Sequence, residues 1–214
     1  MALQLLRTAN AGVLLTMDGV TVLLDGVCNE VKPYLATPEA LRKQLEGEMP
    51  NILAFTHCHA DHYDHAFATA YQEKTLRPVF GPESLPCGGN MQSATVKGLQ
   101  ITCIPTRHIG MVKEDHVSFV LEGSQCIWFV GDAAPTQWLR WTDVPKPDVI
   151  IAPYACVLSP STWKATLELT NKVVLLHMPL RSNDPAGLWP AVDGMLSEAP
   201  GQTVIPEMGS VMDI

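Results

Sequence analysis

Residues 52–65 read Ile52-Leu53-Ala54-Phe55-Thr56-His57-Cys58-His59-Ala60-Asp61-His62-Tyr63-Asp64-His65. The apolar run at 52–55 is a short buried strand by its composition. Four side chains able to bind a metal follow it within six positions: His57, His59, Asp61 and His62. If the strand continued, His57, His59 and Asp61 would share one face, because strand side chains alternate. A turn there would bring His62 round to the same space. Imidazole suits zinc, iron and similar cations, and a carboxylate adds negative charge. One cation rarely needs all four, so the segment points to two metals and to further ligands elsewhere in the chain.

Three such residues stand at the ends of other apolar runs. His108 closes Ile104-Pro105-Thr106-Arg107-His108, Asp132 closes Trp128-Phe129-Val130-Gly131-Asp132, and His177 closes Val173-Val174-Leu175-Leu176-His177. Sheets present functional groups at such edges. Around them, strands are expected at 3–6, 12–16, 21–24, 52–55, 78–80, 99–105, 116–121, 126–130, 148–153, 173–176 and 203–205. Helices are expected at 66–73, 161–169 and 185–197, and one opening at Thr37-Pro38-Glu39, with Thr37 as cap and Pro38 in the first turn, running to about 45. Strand-rich and helix-containing segments alternate without repeat or linker. The expectation is one domain over 1–214 in which helices cover sheets, α/β or α+β on pattern alone.

Composition narrows the partners. The net charge is −8 and the 14 Lys and Arg residues form no basic run, so nucleic acid, which needs a basic footprint to displace counterions, is disfavoured. No apolar run approaches the length of a membrane span. No basic N-terminal region leads into an apolar stretch and a cleavage site, and a cytoplasmic location is the expectation. The six cysteines, Cys28, Cys58, Cys87, Cys103, Cys126 and Cys156, make no CxxC pair; several lie in apolar runs, as free thiols used as small hydrophobes do.

With these residues in view, the sequence resembles the metallo-β-lactamase fold superfamily of metal-dependent hydrolases. The resemblance rests on His57-x-His59-x-Asp61-His62, then His108, the Gly131-Asp132 pair and His177, in the family's order. The hairpin at 12–24 and the Leu24-Asp25-Gly26 turn add to it, and it covers nearly the whole chain. The branch that includes ascorbate-6-phosphate lactonase is the most similar in style. The resemblance implies a four-layer αβ/βα sandwich: two mixed sheets, outer helices and a site at the sandwich edge. It implies two divalent cations, zinc foremost with manganese, iron or nickel as alternatives. His57, His59 and His108 would hold one, Asp61, His62 and His177 the other, with Asp132 bridging. A hydroxide between the metals would attack a lactone, ester or phosphodiester of a small molecule, anionic substrates among the candidates, with Asp61 and Asp132 as catalytic residues. An iron-containing oxidoreductase on the same fold and a metal-binding module without turnover are the competing classes.

The remaining residues carry two readings each. His65 sits one helical turn from Asp61 and either supports a ligand from behind or lies on a helix surface. Asp25 supports the site or makes the Asp25-Gly26 turn. Arg181 reads a substrate anion through its planar fork or is a solvated loop charge; Arg107 and Lys113 are weaker versions of the same idea. His116, at a strand start, is expected to be structural. Cys58 is out of phase with His57 and His59 and is expected in the core, and Asp64 starts a helix or supports the site. Trp138, Trp141 and Trp163 are expected in packing rather than in a pocket.

Overall fold

The protein is described by a computed structural model covering residues 3–85, 88, 92–110, 112–197 and 201–214. Cys87 lies outside the described residues. The chain order is β1 (Gln4–Arg7), β2 (Val13–Met17), β3 (Val20–Leu24), α1 (Glu39–Gly47), β4 (Ile52–Ala54), α2 (His65–Thr75), β5 (Val79–Phe80), β6 (Gln92–Val96), β7 (Leu99–Arg107), β8 (Asp115–Glu122) and β9 (Cys126–Phe129). Then come α3 (Pro135–Trp138), β10 (Val149–Pro153), α4 (Pro160–Leu169), β11 (Lys172–Leu176), α5 (Leu188–Leu196), β12 (Thr203–Val204) and β13 (Val211–Asp213). They form two mixed sheets, β13-β1-β2-β3-β4-β5 and β12-β11-β10-β9-β8-β7-β6.

Period-two alternation sorts the strand residues into three apolar layers. Val20, Val22 and Leu24 of β3, Val149 and Ile151 of β10, and Val174 and Leu176 of β11 face the space between the sheets. Their neighbours point the other way. Leu23 packs with Leu45 of α1 and Phe67, Ala68 and Tyr71 of α2. Ile150, Ala152, Val173 and Leu175 pack with Trp138, Trp163 and Val192 of α3, α4 and α5. Strands apolar on both faces need helices outside them, and the result is the expected αβ/βα sandwich. Trp138 and Trp163 are buried, and Trp141 stacks against Trp128, so all three serve packing.

Some local expectations are corrected. Thr37 does not cap α1; its hydroxyl accepts the Cys28 amide at 3.0 Å, and Pro38 occupies the cap position without a side-chain bond. The strand at 52–55 ends at Ala54, and the chain then turns: the amides of His62 and Tyr63 both donate to the His59 carbonyl at 2.9 Å. β6, α3 and β13 were not anticipated. β6 is half exposed and polar at alternate positions, and β13 is three residues held by pairing to β1.

Candidate metal centre

The ligand-bearing ends converge at one rim of the sandwich. β3 runs parallel to β4, and β9 parallel to β10 and β11, so Asp25, the 57–62 turn, Asp132 and His177 all emerge at strand C-terminal ends. His108 joins them through a bridge to Ala133. The sheets are tied there by the Val117 amide donating to Thr56 and the His177 amide donating to Asn10. Two site residues have left-handed backbone, Asp25 (φ 47°) and His177 (φ 61°). Such strain collects at sites that the surrounding structure over-determines.

The seven expected ligands form three overlapping groups: His57, His59 and His108; Asp61, His62 and His177; and His57, His62 and Asp132. Nε2 of His57 lies 3.0 Å from Nδ1 of His59. Nε2 of His177 lies 3.1 Å from Nε2 of His62 and 3.2 Å from Asp61 Oδ2. Asp132 Oδ2 is 3.6 Å from His62 Nε2, 3.7 Å from His108 Nε2 and 3.5 Å from His177 Nε2. Donors about 2.0–2.1 Å from a tetrahedral cation stand roughly 3.3 Å from one another, so these spacings fit. His108 Nε2 and Asp132 Oδ1 are buried without any hydrogen-bond partner. Orphaned polar atoms of this kind are costly unless something absent from the protein atoms satisfies them.

The tautomers are set from behind. Nδ1 of His62 donates to Asp25 Oδ2 at 2.8 Å, and Nδ1 of His108 donates to the Ile109 carbonyl at 2.8 Å. The Thr56 hydroxyl donates to Asp25 Oδ2 at 2.7 Å, which leaves its lone pairs for Nδ1–H of His57 at 2.9 Å. All three rings therefore keep Nδ1 as the donor and aim Nε2 inward, the nitrogen on which a metal would replace a proton. Burial holds His57 well below the ordinary imidazole range, and neighbouring His62 and His116 act in the same sense. Burial opposes the charge of Asp132, yet His177 and His62 hold its carboxyl well below the usual range. Burial likewise opposes the His62 cation, and Asp132 and Asp25 outweigh it and raise the ring's pKa. The carboxylates thus draw a positive charge into the cluster.

Other candidates are placed as follows. Asp25 is fully buried and its carboxylate meets Nδ1 of His62. His65 lies exposed at the start of α2 with its Nδ1 3.5 Å from Thr69 Oγ1, away from the ligands. Asp64 caps α2, accepting the Phe67 amide at 2.8 Å. Cys58 approaches Ser84 and packs beside the α2 core. Arg181 is held bidentately by Asp193 at 2.7 and 2.9 Å and stacks 3.7 Å over Trp189; its fork is already taken. Arg107 and Lys113 line a separate hollow beside β8.

His116, expected to be structural, contacts the backbone of a candidate ligand. Its Nε2 accepts the Asp132 amide at 3.1 Å and its Nδ1 meets the Thr106 hydroxyl at 2.7 Å. A lone histidine has no spacing signal. Thr106, His116 and Ser118, polar side chains that meet across β7 and β8, were the readable trace. Gly131 was readable only as half of a pair: with φ 54°, a Cβ there would stand 2.5 Å from Thr56 Cγ2. Tyr34 was missed as well; its ring packs edge-on to His177 with centroids 4.4 Å apart.

No family model matches the sequence, and no curated protein matches it. Solved structures do resemble the fold. A possible metal-dependent hydrolase from Veillonella parvula superposes with a TM-score of 0.75 at 16% identity, covering 100% of both chains. An isothiocyanate hydrolase from Delia radicum gut bacteria gives 0.72 at 16% identity over 99% of each chain. YhfI from Bacillus subtilis, a metallo-β-lactamase fold protein, gives 0.66 at 14% identity over 100% of both. At these identities the likeness speaks for architecture alone, and what it establishes is that this chain has the metallo-β-lactamase fold.

Proposed function

We propose that the chain is a metal-dependent hydrolase with a two-cation centre, acting on a lactone, ester or phosphodiester of a small molecule. The observation that carries this is the position of Asp132. One carboxylate oxygen lies within 3.5–3.7 Å of His108 on one side and of His62 and His177 on the other, which supports a bridging role. His57, His59 and His108 would hold one cation; Asp61, His62 and His177 the other. Bound there, two divalent cations supply Lewis acidity and lower the pKa of water toward about 7.

The chain's own residues do the rest. Asp25 and Thr56 fix which ring nitrogens face inward. Burial opposes the charge of Asp61, but its hydrogen bond with His177 and the nearby His62 keep its carboxyl below the usual range. An ionised carboxylate at this rim can accept a proton from attacking water and pass it to the leaving group. Burial of the cluster strengthens each of these interactions.

The test is metal content by plasma mass spectrometry of protein purified without added metal or chelator, followed by a panel of lactones, esters and phosphodiesters. About two equivalents, falling in His59→Ala and Asp132→Ala with loss of turnover, is the expected result. Zinc or manganese favours the hydrolase; iron with oxygen-dependent chemistry moves the reading to an oxidoreductase. Content well below one, not restored by zinc, manganese or iron, overturns the proposal.

A further inference from the structure

A cavity of about 500 Å³ opens beside the metal centre. Its lining is tied to His177 by chain connection and by one backbone hydrogen bond. Met178 and Pro179, which line it, directly follow His177, and Asn10, which also lines it, accepts the His177 amide at 3.1 Å through its carbonyl. Pro33 and Leu35, also in the lining, bracket Tyr34, whose ring lies against His177. The size suits a small-molecule site.

The lining combines an apolar body with an unbalanced charge. Leu35, Met178, Leu180 and Trp189 supply apolar surface. Arg7 is only 9% exposed, and its guanidinium donates to three carbonyls, those of Ala9, Asn10 and Pro206. A guanidinium has five N–H donors, so two remain. No carboxylate among the described residues pairs with Arg7: Arg181 on the same wall is matched by Asp193, and Glu207 makes no ion pair with either. The side-chain amide of Asn10, 1% exposed, has no partner for its Nδ2. A buried cation without counter-ion and a buried donor without acceptor are both costly, and both belong to one cavity wall.

We infer that this cavity receives the non-reacting part of the substrate, and that it takes an apolar group ending in a carboxylate, which Arg7 and Asn10 recognise. The inference deepens the hydrolase reading and rests on it for the word substrate. The planar fork of arginine suits a carboxylate's two oxygens, and one uncompensated charge matches one anion. Arg181, the sequence-level choice for this role, is instead a rim residue neutralised by Asp193.

The probe is octanoate against its neutral isostere octanamide, titrated calorimetrically into the metal-loaded protein. Octanoate is expected to bind at least about tenfold more tightly, a difference of about 1.4 kcal/mol. Arg7→Gln should erase that difference while leaving octanamide binding in place. Because Arg7 also ties three backbone carbonyls, Leu35→Glu provides a second variant on an exposed position; it sets a carboxylate in the cavity and should abolish octanoate binding with metal content unchanged. Equal binding of octanoate and octanamide overturns the inference. So does octanoate binding that survives Leu35→Glu, which would be carboxylate coordination at the metals. Either result, with metal content and ester turnover intact, leaves the hydrolase reading standing.

Discussion

Oδ2 of Asp25 lies 2.8 Å from Nδ1 of His62, and neither side chain has any exposure to solvent. The same carboxylate accepts the Thr56 hydroxyl, and Thr56 in turn faces Nδ1 of His57. One buried acid therefore orients a ligand ring in each of the two histidine groups. Asp25→Asn sets an amide NH₂ against a ring of donors and should weaken metal binding roughly 10–100-fold, the usual cost of losing such a support. Competition with a chelator of known affinity measures it. Unchanged affinity for both cations would show that the rings are held by packing alone.

His116 acts on Asp132, the proposed bridging residue, through its backbone amide. Burial pushes its pKa down to about 3, so Nε2 remains an acceptor for the Asp132 amide across neutral pH. His116→Phe fills the space but leaves that amide unsatisfied, at a cost of about 1–3 kcal/mol. With the Asp132 backbone released, occupancy of the two-cation centre should fall while the fold persists, read by metal content and circular dichroism on the same sample. Full occupancy in this variant would mean that the 3.1 Å contact does not set the carboxylate's position.

The candidate ligands were legible because they are written as spacing: four metal-competent side chains packed behind one apolar strand, and three more closing other strands. The layers came with the resemblance: β10 and β11 are apolar on both faces, so the pattern alone left α/β and α+β open. What could not be read depends on contacts between distant segments. His116 is marked only by polar neighbours on β7 and β8. Arg7 and Asn10 sit in the opening strand and its turn, yet their surroundings come from Pro206 and Met178. Thr37 shows the converse failure. The local pattern Thr-Pro-Glu argued for a cap, and a longer-range bond to Cys28 took the hydroxyl.

Gly131 should tolerate no side chain. Its φ of 54° costs an L-residue about 1–2 kcal/mol, and an added Cβ would meet Thr56 Cβ, Cγ2 and Oγ1 at 2.5–2.9 Å. Thr56 cannot retreat without giving up Asp25 and His57. Gly131→Ala should therefore lower Tm by more than the roughly 4–8 °C that about 2 kcal/mol represents in a chain of this size, and lower metal content with it. Gly19→Ala is the control: φ is 76° but nothing lies within 4 Å, so only the backbone term applies. Equal losses in the two variants would remove the steric argument.

Asp64 makes an acid-dependent contribution to stability apart from the metals. Burial disfavours its charge, but the Arg42 guanidinium at 2.8 Å, the Phe67 amide and Asn29 outweigh it and lower its pKa. A carboxyl depressed in the folded state stabilises fully above its unfolded pKa of about 3.9, and that stabilisation fades as pH falls through the lower folded value. Asp64→Asn retains a capping side chain but loses the charge. It should cost about 1–2 kcal/mol at pH 7, measured by urea denaturation. The gap to the parent should close as pH falls below about 4. A gap that stays constant down to pH 3 would place the loss in the cap geometry and not in the Arg42 pair.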